Sequence, residues 1–428
     1  MTSVAPLTSL HDARAAAIAL GSAAATAVET VPIAEAAGRI AAEQVIVPIA
    51  LPRFDGSAMD GYAVRAADLA GATADAPAVL RLVDESRAGH PTDAVLGSGE
   101  AMRISTGARV PAGADAVVRV EDADEADGVV RVRVALASGH DIRPAGEDVQ
   151  PGEHAVAAGD LLHPGRIALL GGIGVASVAV RRPPSVTVVA TGDEVVVAGG
   201  GALGAGDVHD VNGVAIPALL RAAGAGEVRV VRVGDDREAT IAAFRDAGGD
   251  LIVSCGGVSV GRHDHVRPAL EALGARQAVF GVALQPGKPT WIGTLAGGEG
   301  GAAEGGGGSA RPVFGLPGNP ASAFVTAALF VAPALRAMLG RPPEPVRRGR
   351  LVEDAPRDGR RMRALRAVVV LGEDATLGVR ILGPQHSHRL RPLADGDLLA
   401  IVPPGEGPLP AGSLVELVAV PGATSLGA

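Results

Sequence analysis

Residues 251–265, LIVSCGGVSVGRHDH, begin as an apolar run and end as a turn rich in glycine and polar residues. The same change from an apolar run to a polar turn occurs in SVTVVATGDE (185–194) and in EVRVVRVGDD (227–236). Segments with helical spacing of apolar residues lie between these runs. Apolar strands that alternate with helices are typical of an open, doubly wound sheet of mostly parallel strands. We therefore predict an α/β domain over residues 181–341.

The hydrophobic pattern outside that domain predicts further, smaller domains. Short alternating runs separated by Gly, Asp and Pro clusters, at 75–150 and again at 350–428, are typical of β-rich modules. SLHD, residues 9–12, has the form of a capping box that opens a helix. The glycine-rich segment 296–310 is predicted to be a flexible loop. The predicted fold is multidomain α/β: a discontinuous first domain at 1–50 and 151–180, an inserted β-rich domain at 51–150, the doubly wound domain at 181–341, and a C-terminal all-β, barrel-like domain at 342–428.

Composition argues against several classes of protein. A net charge of -9 and 2% aromatic residues disfavour a general nucleic-acid binder, because neither a basic surface nor a stacking platform is available. The single cysteine, Cys255, cannot form an internal disulfide or a Cys-rich zinc site. No run of about 20 uncharged apolar residues predicts a membrane span. We expect a cytoplasmic protein that acts on small molecules and binds neither nucleic acid nor a membrane.

The turns that follow the predicted strands have the composition of a phosphate-binding site. Glycine-rich turns let backbone N–H groups approach a phosphate, and a following helix N-terminus adds positive potential. Each turn alone is equally well explained as a tight turn, but in a doubly wound sheet the turns converge outside the carboxyl ends of the strands. Neither a Walker A motif nor a GxGxxG motif with its acidic partner is present. The predicted cofactor-binding residues of these turns are Thr191, Gly192, Asp193, Ser254, Gly256, Gly257, Ser259, Gly318 and Asn319.

Carboxylates share the same strand ends. Asp193, Glu194, Asp235, Asp236 and Asp264 would project toward one crevice, where they repel one another and any bound phosphate. A hard cation such as Mg²⁺, which binds one or two carboxylates together with substrate phosphate oxygens, would remove that conflict. The alternative for Asp236 and for Asp264 is that each caps the helix that follows it.

Several other polar residues have an ordinary interpretation beside a functional one. Cys255 is a potential nucleophile, but a buried thiol without a triad is commoner. His263 and His265 are either metal ligands or incidental loop residues. The polar loops FDGSAMDGYAV (54–64), STGA (105–108) and RPAGEDV (143–149) are ordinary turn chemistry when judged on residue type alone.

Lys288, in LQPGKPT (284–290), is the only lysine in the chain. A coding bias against lysine would explain it without any function. Alternatively, lysine is a compact, mobile point charge and is not interchangeable with arginine at an anion site. Both interpretations stay open on the residues alone.

Seven motifs together carry a resemblance to a known family. They are FDGSAMDGYAVR (54–65), STGARVPAGADAVV (105–118), RPAGEDV (143–149), ATGDE (190–194), SCGGVSVGRHDH (254–265), PGKP (286–289) and GLPGNPASA (315–323). In order and approximate spacing the chain resembles the MoeA family, the molybdopterin molybdenumtransferases, and it is similar to the catalytic domain of gephyrin. The resemblance implies a MogA-like α/β domain within a four-domain layout.

The resemblance also implies a reaction and its partners. It implies a homodimeric cytoplasmic enzyme of molybdenum cofactor synthesis, with a cleft between subunits and a contact with the adenylylating enzyme of the pathway. The substrates would be adenylylated molybdopterin and molybdate, and Mg²⁺ would assist cleavage of the adenylate, with release of AMP. The residues that match family catalytic positions are Asp60, Thr106, Asp148, Glu194, Asp235, Asp264 and Lys288. Of these, Asp235, Asp264 and Glu194 would hold the metal, while Arg366 and Ser387 would lie near the bound cofactor.

Two departures from the family pattern keep other functions open. The family often carries lysines upstream of the PGKP turn, where this chain has Gly281 and Gln285. In SHRLRPLA (387–394), Arg391 and Pro392 replace a serine pair. One alternative is therefore a molybdopterin-binding paralogue that acts as a carrier or scaffold with weak transferase activity. Another is the adenylylation step, which proteins with a similar α/β domain perform.

Overall fold

A computed structural model describes residues 6–259, 261, 264–296, 310–371 and 377–423. The chain forms two compact units, one of residues 1–29 and 179–428 and the other of residues 30–178. His263 and residues 297–309 of the predicted flexible loop lie outside the described part. The finer division into four domains stays a prediction.

The larger unit contains a six-stranded sheet built as the sequence predicts. Four neighbouring strands run parallel, and each of the two remaining strands is antiparallel to the neighbour before it. A short parallel pair, Val195–Val196 with Val208–His209, follows the strand Val186–Thr191 in the chain. Across the sheet the six strands are Val228–Val233, Val186–Thr191, Leu251–Cys255, Arg311–Leu316, Trp291–Leu295 and Arg276–Phe280.

Alternation along the central strands explains why both faces of this sheet are covered. Val188 packs in one apolar cluster with Leu219 and Leu220, whereas the next residue, Val189, packs in another with Phe244. Successive strand residues point to opposite faces, so a continuous apolar strand requires helices on both sides. The helices that follow the strands are Asn212–Ala222, Arg237–Arg245, Val266–Ala272 and the segment Pro320–Met338, whose middle turns, Ala327–Val331, are a π-helix.

The N-terminal helix, Leu10–Ala23, packs against Ala332–Met338 and belongs to the larger unit. Its start follows the predicted signal, since Ser9 Oγ accepts a hydrogen bond from the backbone N of Asp12 at 3.1 Å. Among the described residues, Pro320–Met338 is long and apolar enough to cross a membrane. Of its most apolar window, 78% is buried within the protein, as in a core helix.

A closed five-stranded barrel forms the C-terminal part of the larger unit, which confirms the predicted barrel-like fold. Closure comes from Met362–Leu371, which pairs on one side with Leu377–Ile381 and on the other with Leu398–Val402. A short segment before the PGKP turn, Leu284–Gln285, adds to the barrel in parallel beside Met362–Arg363. The remaining barrel strands are Arg347–Leu351 and Leu414–Ala419, and a short helix spans Arg391–Asp395.

The smaller unit is mostly β-structure, as the alternating runs predict. Its main sheet has six strands, in the order Ala116–Arg119, Gly61–Val64, Glu100–Ile104, Ala78–Ser86, Val129–Val132 and Ala123–Ala126. Two small antiparallel pairs accompany it, Gly56–Ser57 with Ile142–Arg143 and Val45–Ile46 with His154–Val156. Pro164–Gly172 is a helix whose start is capped by His163.

Candidate active site

Three glycine turns of the α/β sheet meet at the carboxyl ends of adjacent parallel strands. Thr191 Oγ1 donates a hydrogen bond to the carbonyl oxygen of Cys255 at 3.3 Å. Gly256 has φ of +95°, and a Cβ built on it would lie 2.6 Å from Thr191 Oγ1, so only glycine fits there. A Cβ on Gly318 would lie 3.5 Å from the Cα of Gly256. The Gly256 turn therefore lies within van der Waals reach of the other two turns, as predicted from the topology.

The two acidic turns on neighbouring strands are also joined. Asp193 Oδ1 accepts a hydrogen bond from the backbone N of Asp235 at 2.9 Å, which links the TGDE and GDD turns. The side chains of Asp193, Glu194 and Asp235 are exposed. Asp236 Oδ1 accepts from the backbone N of Ala239 at 2.7 Å, so the helix-cap interpretation of Asp236 is confirmed.

The predicted metal ligands do not form a ready-made three-residue site. Over the described ranges, no group of three or more His, Cys, Asp or Glu side chains is arranged to hold a metal ion. Asp264 Oδ2 accepts from the backbone N of Gly261 at 2.6 Å, within its own turn. The helix Val266–Ala272 begins after His265 without a side-chain cap, so the alternative role of Asp264 as its cap is wrong.

Of the remaining candidate site residues at the strand ends, some are buried and others are exposed. Ser254 is fully buried in its strand, so its side chain does not reach the protein surface. Its Oγ has no hydrogen-bond partner among the described atoms. Burial raises the pKa of the Cys255 thiol to about 12, which does not suit a nucleophile. Gly318 and Asn319 are exposed. Sequence reasoning missed Asn212, whose Nδ2 donates to the carbonyl oxygen of Gly318 at 2.7 Å.

Lys288 lies on a cavity of about 600 Å³ in the larger unit. The turn that carries it is fixed by its backbone, because the N of Val282 donates to the carbonyl oxygen of Lys288 at 2.9 Å, while the lysine side chain is exposed. None of the described residues that line the cavity is acidic. Its polar wall includes Gln285, Lys288, Ser322, Arg361, Arg363, Gln385, His386, Ser387 and His388.

Arg366 lies behind this wall. It is only 1% exposed, and its Nη2 donates to the carbonyl oxygen of His386 at 3.2 Å. Its Nε and Nη1 have no hydrogen-bond partner in the part of the chain that the structure describes. Burial lowers the pKa of Arg366 to about 10. Ser387, by contrast, lies on the cavity wall, and its carbonyl oxygen accepts from the backbone N of Ala321 at 3.1 Å.

In the smaller unit, the FDGS loop gathers the two other polar turns. Asp60 Oδ1 accepts a hydrogen bond from the backbone N of Thr106 at 2.7 Å, which brings two predicted site residues together. Asp55 Oδ1 accepts from the backbone N of Ala145 at 2.8 Å. Asp148 is exposed, and its backbone N donates to the carbonyl oxygen of Leu51, just before this loop, at 2.9 Å.

Comparison with known proteins supplies the family. Models of the MoeA N-terminal region (domain I and II), of a probable molybdopterin binding domain and of the MoeA C-terminal region (domain IV) match residues 8–174, 187–337 and 348–420. Molybdopterin molybdenumtransferase 2 of Mycobacterium tuberculosis is 35% identical over 91% of this chain and 94% of its own. The chain belongs to the MoeA family of molybdopterin molybdenumtransferases.

Other relatives agree with this MoeA assignment. A molybdopterin molybdenumtransferase of Staphylococcus aureus is 31% identical over 91% of this chain and 90% of its own length. The crystal structure of a molybdopterin biosynthesis MoeA protein from Pyrococcus horikoshii has a TM-score of 0.79 and 32% identity, covering 98% of this chain and all of that one. The resemblance predicted from the motifs is therefore confirmed.

The wall of the Lys288 cavity is built from two of the matched regions. Lys288 falls in the molybdopterin-binding match, whereas Arg361, Arg363, His386 and His388 fall in the C-terminal match. Within GRRMRALR (359–366), residues two apart in a strand share a face. By that alternation Arg361 and Arg363 share the face toward the cavity, whereas Arg366 lies behind the wall.

Proposed function

We propose that this MoeA-family protein inserts molybdate into adenylylated molybdopterin and releases AMP in a Mg²⁺-dependent reaction, as a homodimer in the cytoplasm. The observation that supports the proposal most is the convergence of Thr191, Gly256 and Gly318 at three adjacent strand ends. Glycine turns at strand ends, beside helix N-termini, are suited to phosphate groups of a pterin nucleotide.

The acidic turns suit a metal that arrives with its substrate. Asp235, Asp264 and Glu194 offer carboxylate oxygens, the ligand type that Mg²⁺ prefers, and Mg²⁺ usually needs only one or two of them beside phosphate oxygens. When bound there, Mg²⁺ would neutralise the pyrophosphate and polarise the phosphorus. The backbone link from Asp235 to Asp193 fixes the spacing of these turns before any ligand binds.

The Lys288 cavity suits the other substrate, a tetrahedral oxyanion. Lys288 contributes a mobile charge, and Ser322 and Ser387 line the same cavity. The unsatisfied N–H groups of Arg366 lie directly behind the wall, adding positive potential. Charged donors around an oxyanion in a partly dry cavity form strong hydrogen bonds. Asp60, Thr106 and Asp148, which match family catalytic positions, are proposed to act in the same reaction.

A defined turnover assay tests the proposal. Purified protein would be given adenylylated molybdopterin, molybdate and Mg²⁺, and AMP and active cofactor would be measured. Release of both supports the transferase. Adenylate that stays bound and intact supports the carrier or scaffold, the candidate favoured by the neutral Gln285 on the cavity wall and the buried Gly281. Consumption of ATP and free molybdopterin would instead support adenylylation.

A further inference from the structure

Charge compensation differs among the cations on the wall of the Lys288 cavity. Arg361 Nη2 donates a hydrogen bond to Asp358 Oδ2 at 2.8 Å. This bond, together with those from the backbone N of Arg360 and of Arg361, lowers the pKa of Asp358 to about 2. The positive charge of Arg361 is therefore largely compensated by a carboxylate outside the cavity. Within the described residues, Arg363 forms no ion pair, and Lys288 likewise forms none.

Arg363 has the features of an anion-binding group. It is half-buried, and its Nε has neither exposed surface nor a hydrogen-bond partner among the described atoms. Burial lowers the pKa of Arg363, a cost that a bound anion would offset. Arg363 lines the cavity and its guanidinium donates no hydrogen bond within the described residues, so an oxyanion there would be an acceptor for the part of the guanidinium that faces the cavity. A planar guanidinium can donate two parallel N–H groups to two oxygens of such an anion.

The pairing of Leu284–Gln285 with Met362–Arg363 locates the positive charge of Arg363 on the cavity wall. Gln285 and Arg363 are register partners where Leu284–Gln285 joins the barrel strand, and both line the cavity. Gln285 is neutral, so the positive charge at this part of the wall is that of Arg363, on the neighbouring strand. Lys288 follows three residues after Gln285 on the same turn, so Arg363 and Lys288 face one cavity from two separate segments.

We propose that Arg363 is a further substrate-binding residue of this enzyme, which binds the same tetrahedral oxyanion as Lys288 and sets its affinity. This inference rests on the proposed function of the cavity. Arginine stems also serve as apolar packing, and an Arg363 that only packs would leave oxyanion affinity unchanged when its charge is removed.

Calorimetric titration with molybdate alone, compared with sulfate, tests the assignment without the labile pterin substrate. Arg363→Gln should weaken molybdate binding about tenfold or more, because a charge-assisted hydrogen bond is lost. The matched control is Arg380→Gln, an exposed arginine on the next barrel strand, whose binding should equal that of the wild type. Adding Gln285→Lys to Arg363→Gln should recover most of the affinity, since the two positions are neighbours in the sheet.

The outcomes separate this inference from the proposed function. If Arg363→Gln binds molybdate like the wild type while Lys288→Ala binds it weakly, Arg363 has no role and the oxyanion site stands. If both variants bind as the wild type does, both assignments fall. If Arg363→Gln does not fold, an NMR titration of the wild-type protein replaces it. The Nε–H resonance of Arg363 is identified by its loss in Arg363→Lys, and its chemical shift should change when molybdate is added. A resonance that does not move would overturn the inference.

Discussion

At the scale of single residues, Lys288 shows what position adds to composition. It is one of 38 basic residues, and its rarity alone fits a coding bias. The structure places it on a cavity whose described wall has no acidic residue and carries two arginines. A flexible stem that carries a compact charge can follow an oxyanion as it binds and leaves, which a planar guanidinium does less well.

Lys288→Ala should raise the molybdate concentration needed for half-maximal AMP release about tenfold, because one charged contact to the anion is lost. Arg348→Ala, which removes an exposed cation from the barrel strand Arg347–Leu351, serves as the control and should change nothing. An unaltered requirement for molybdate in the lysine variant would return Lys288 to the coding-bias explanation.

Asp264→Asn should lower the rate of AMP release roughly tenfold or more, since a neutral amide is a poorer ligand for a hard cation. The fold should persist, because the amide oxygen can still accept from the backbone N of Gly261. Asp236→Asn is the matched control, because asparagine caps a helix as well as aspartate does. Equal rates for the two variants would remove Asp264 from the metal site.

At the scale of elements, one carboxylate holds the starts of two central strands together. Asp250 accepts hydrogen bonds from Arg182 at 2.7 and 3.0 Å and from the backbone N of Ser185 at 2.7 Å. Burial alone would raise the pKa of Asp250, but the hydrogen bonds from Arg182 and Ser185 outweigh it and lower that pKa below its usual value.

Asp250→Asn should reduce the free energy of unfolding at pH 7 by about 2 kcal/mol, because charge-assisted hydrogen bonds are lost. A carboxylate whose folded pKa is depressed stabilises the fold above its unfolded pKa of about 3.9, and loses that contribution as the pH falls through the folded pKa. Urea unfolding of both proteins should therefore give curves that differ at pH 7 and approach each other in acid. A difference independent of pH would exclude the carboxylate as its source.

For Gly21, helix packing and helix propensity predict opposite effects of an alanine substitution on stability. A Cβ added to Gly21 would lie 2.3 Å from the carbonyl oxygen of Ala334, where the two helices touch. Gly21→Ala should therefore destabilise the protein by about 2 kcal/mol, although alanine is the better helix former. Gly171→Ala, in a helix where a Cβ meets no atom within 4 Å, is the control and should be neutral or stabilising. A stabilised Gly21→Ala protein, measured by urea unfolding, would contradict the close approach.

At the scale of the whole molecule, the hydrophobic pattern of the sequence predicts the helices and strands, but it does not predict the Lys288 cavity. The alternation of apolar runs and turns was enough for the doubly wound sheet, because buried parallel strands must be apolar on both faces. The acidic and glycine turns follow from the same topology. The Lys288 cavity depends on pairing between Leu284–Gln285 and Met362–Arg363, residues far apart in the chain. No local preference encodes that pairing, so Arg361 and Arg363 could not be assigned to the wall from sequence.

Mixing inactive variants tests the homodimer with a cleft between subunits that the family resemblance implies. Asp60→Asn and Asp264→Asn should each release AMP at about a tenth of the wild-type rate or less when alone, because each removes a proposed catalytic carboxylate. If each cleft takes Asp60 from one subunit and Asp264 from the other, a mixed dimer has one doubly altered cleft and one intact cleft. An equal mixture that exchanges subunits freely makes half of its dimers mixed, so AMP release should recover to about one quarter of the wild-type rate. Light scattering would establish the dimer, and native mass spectrometry of an isotope-labelled mixture would establish the exchange. Exchange without recovered activity would show that both carboxylates of a cleft come from one subunit.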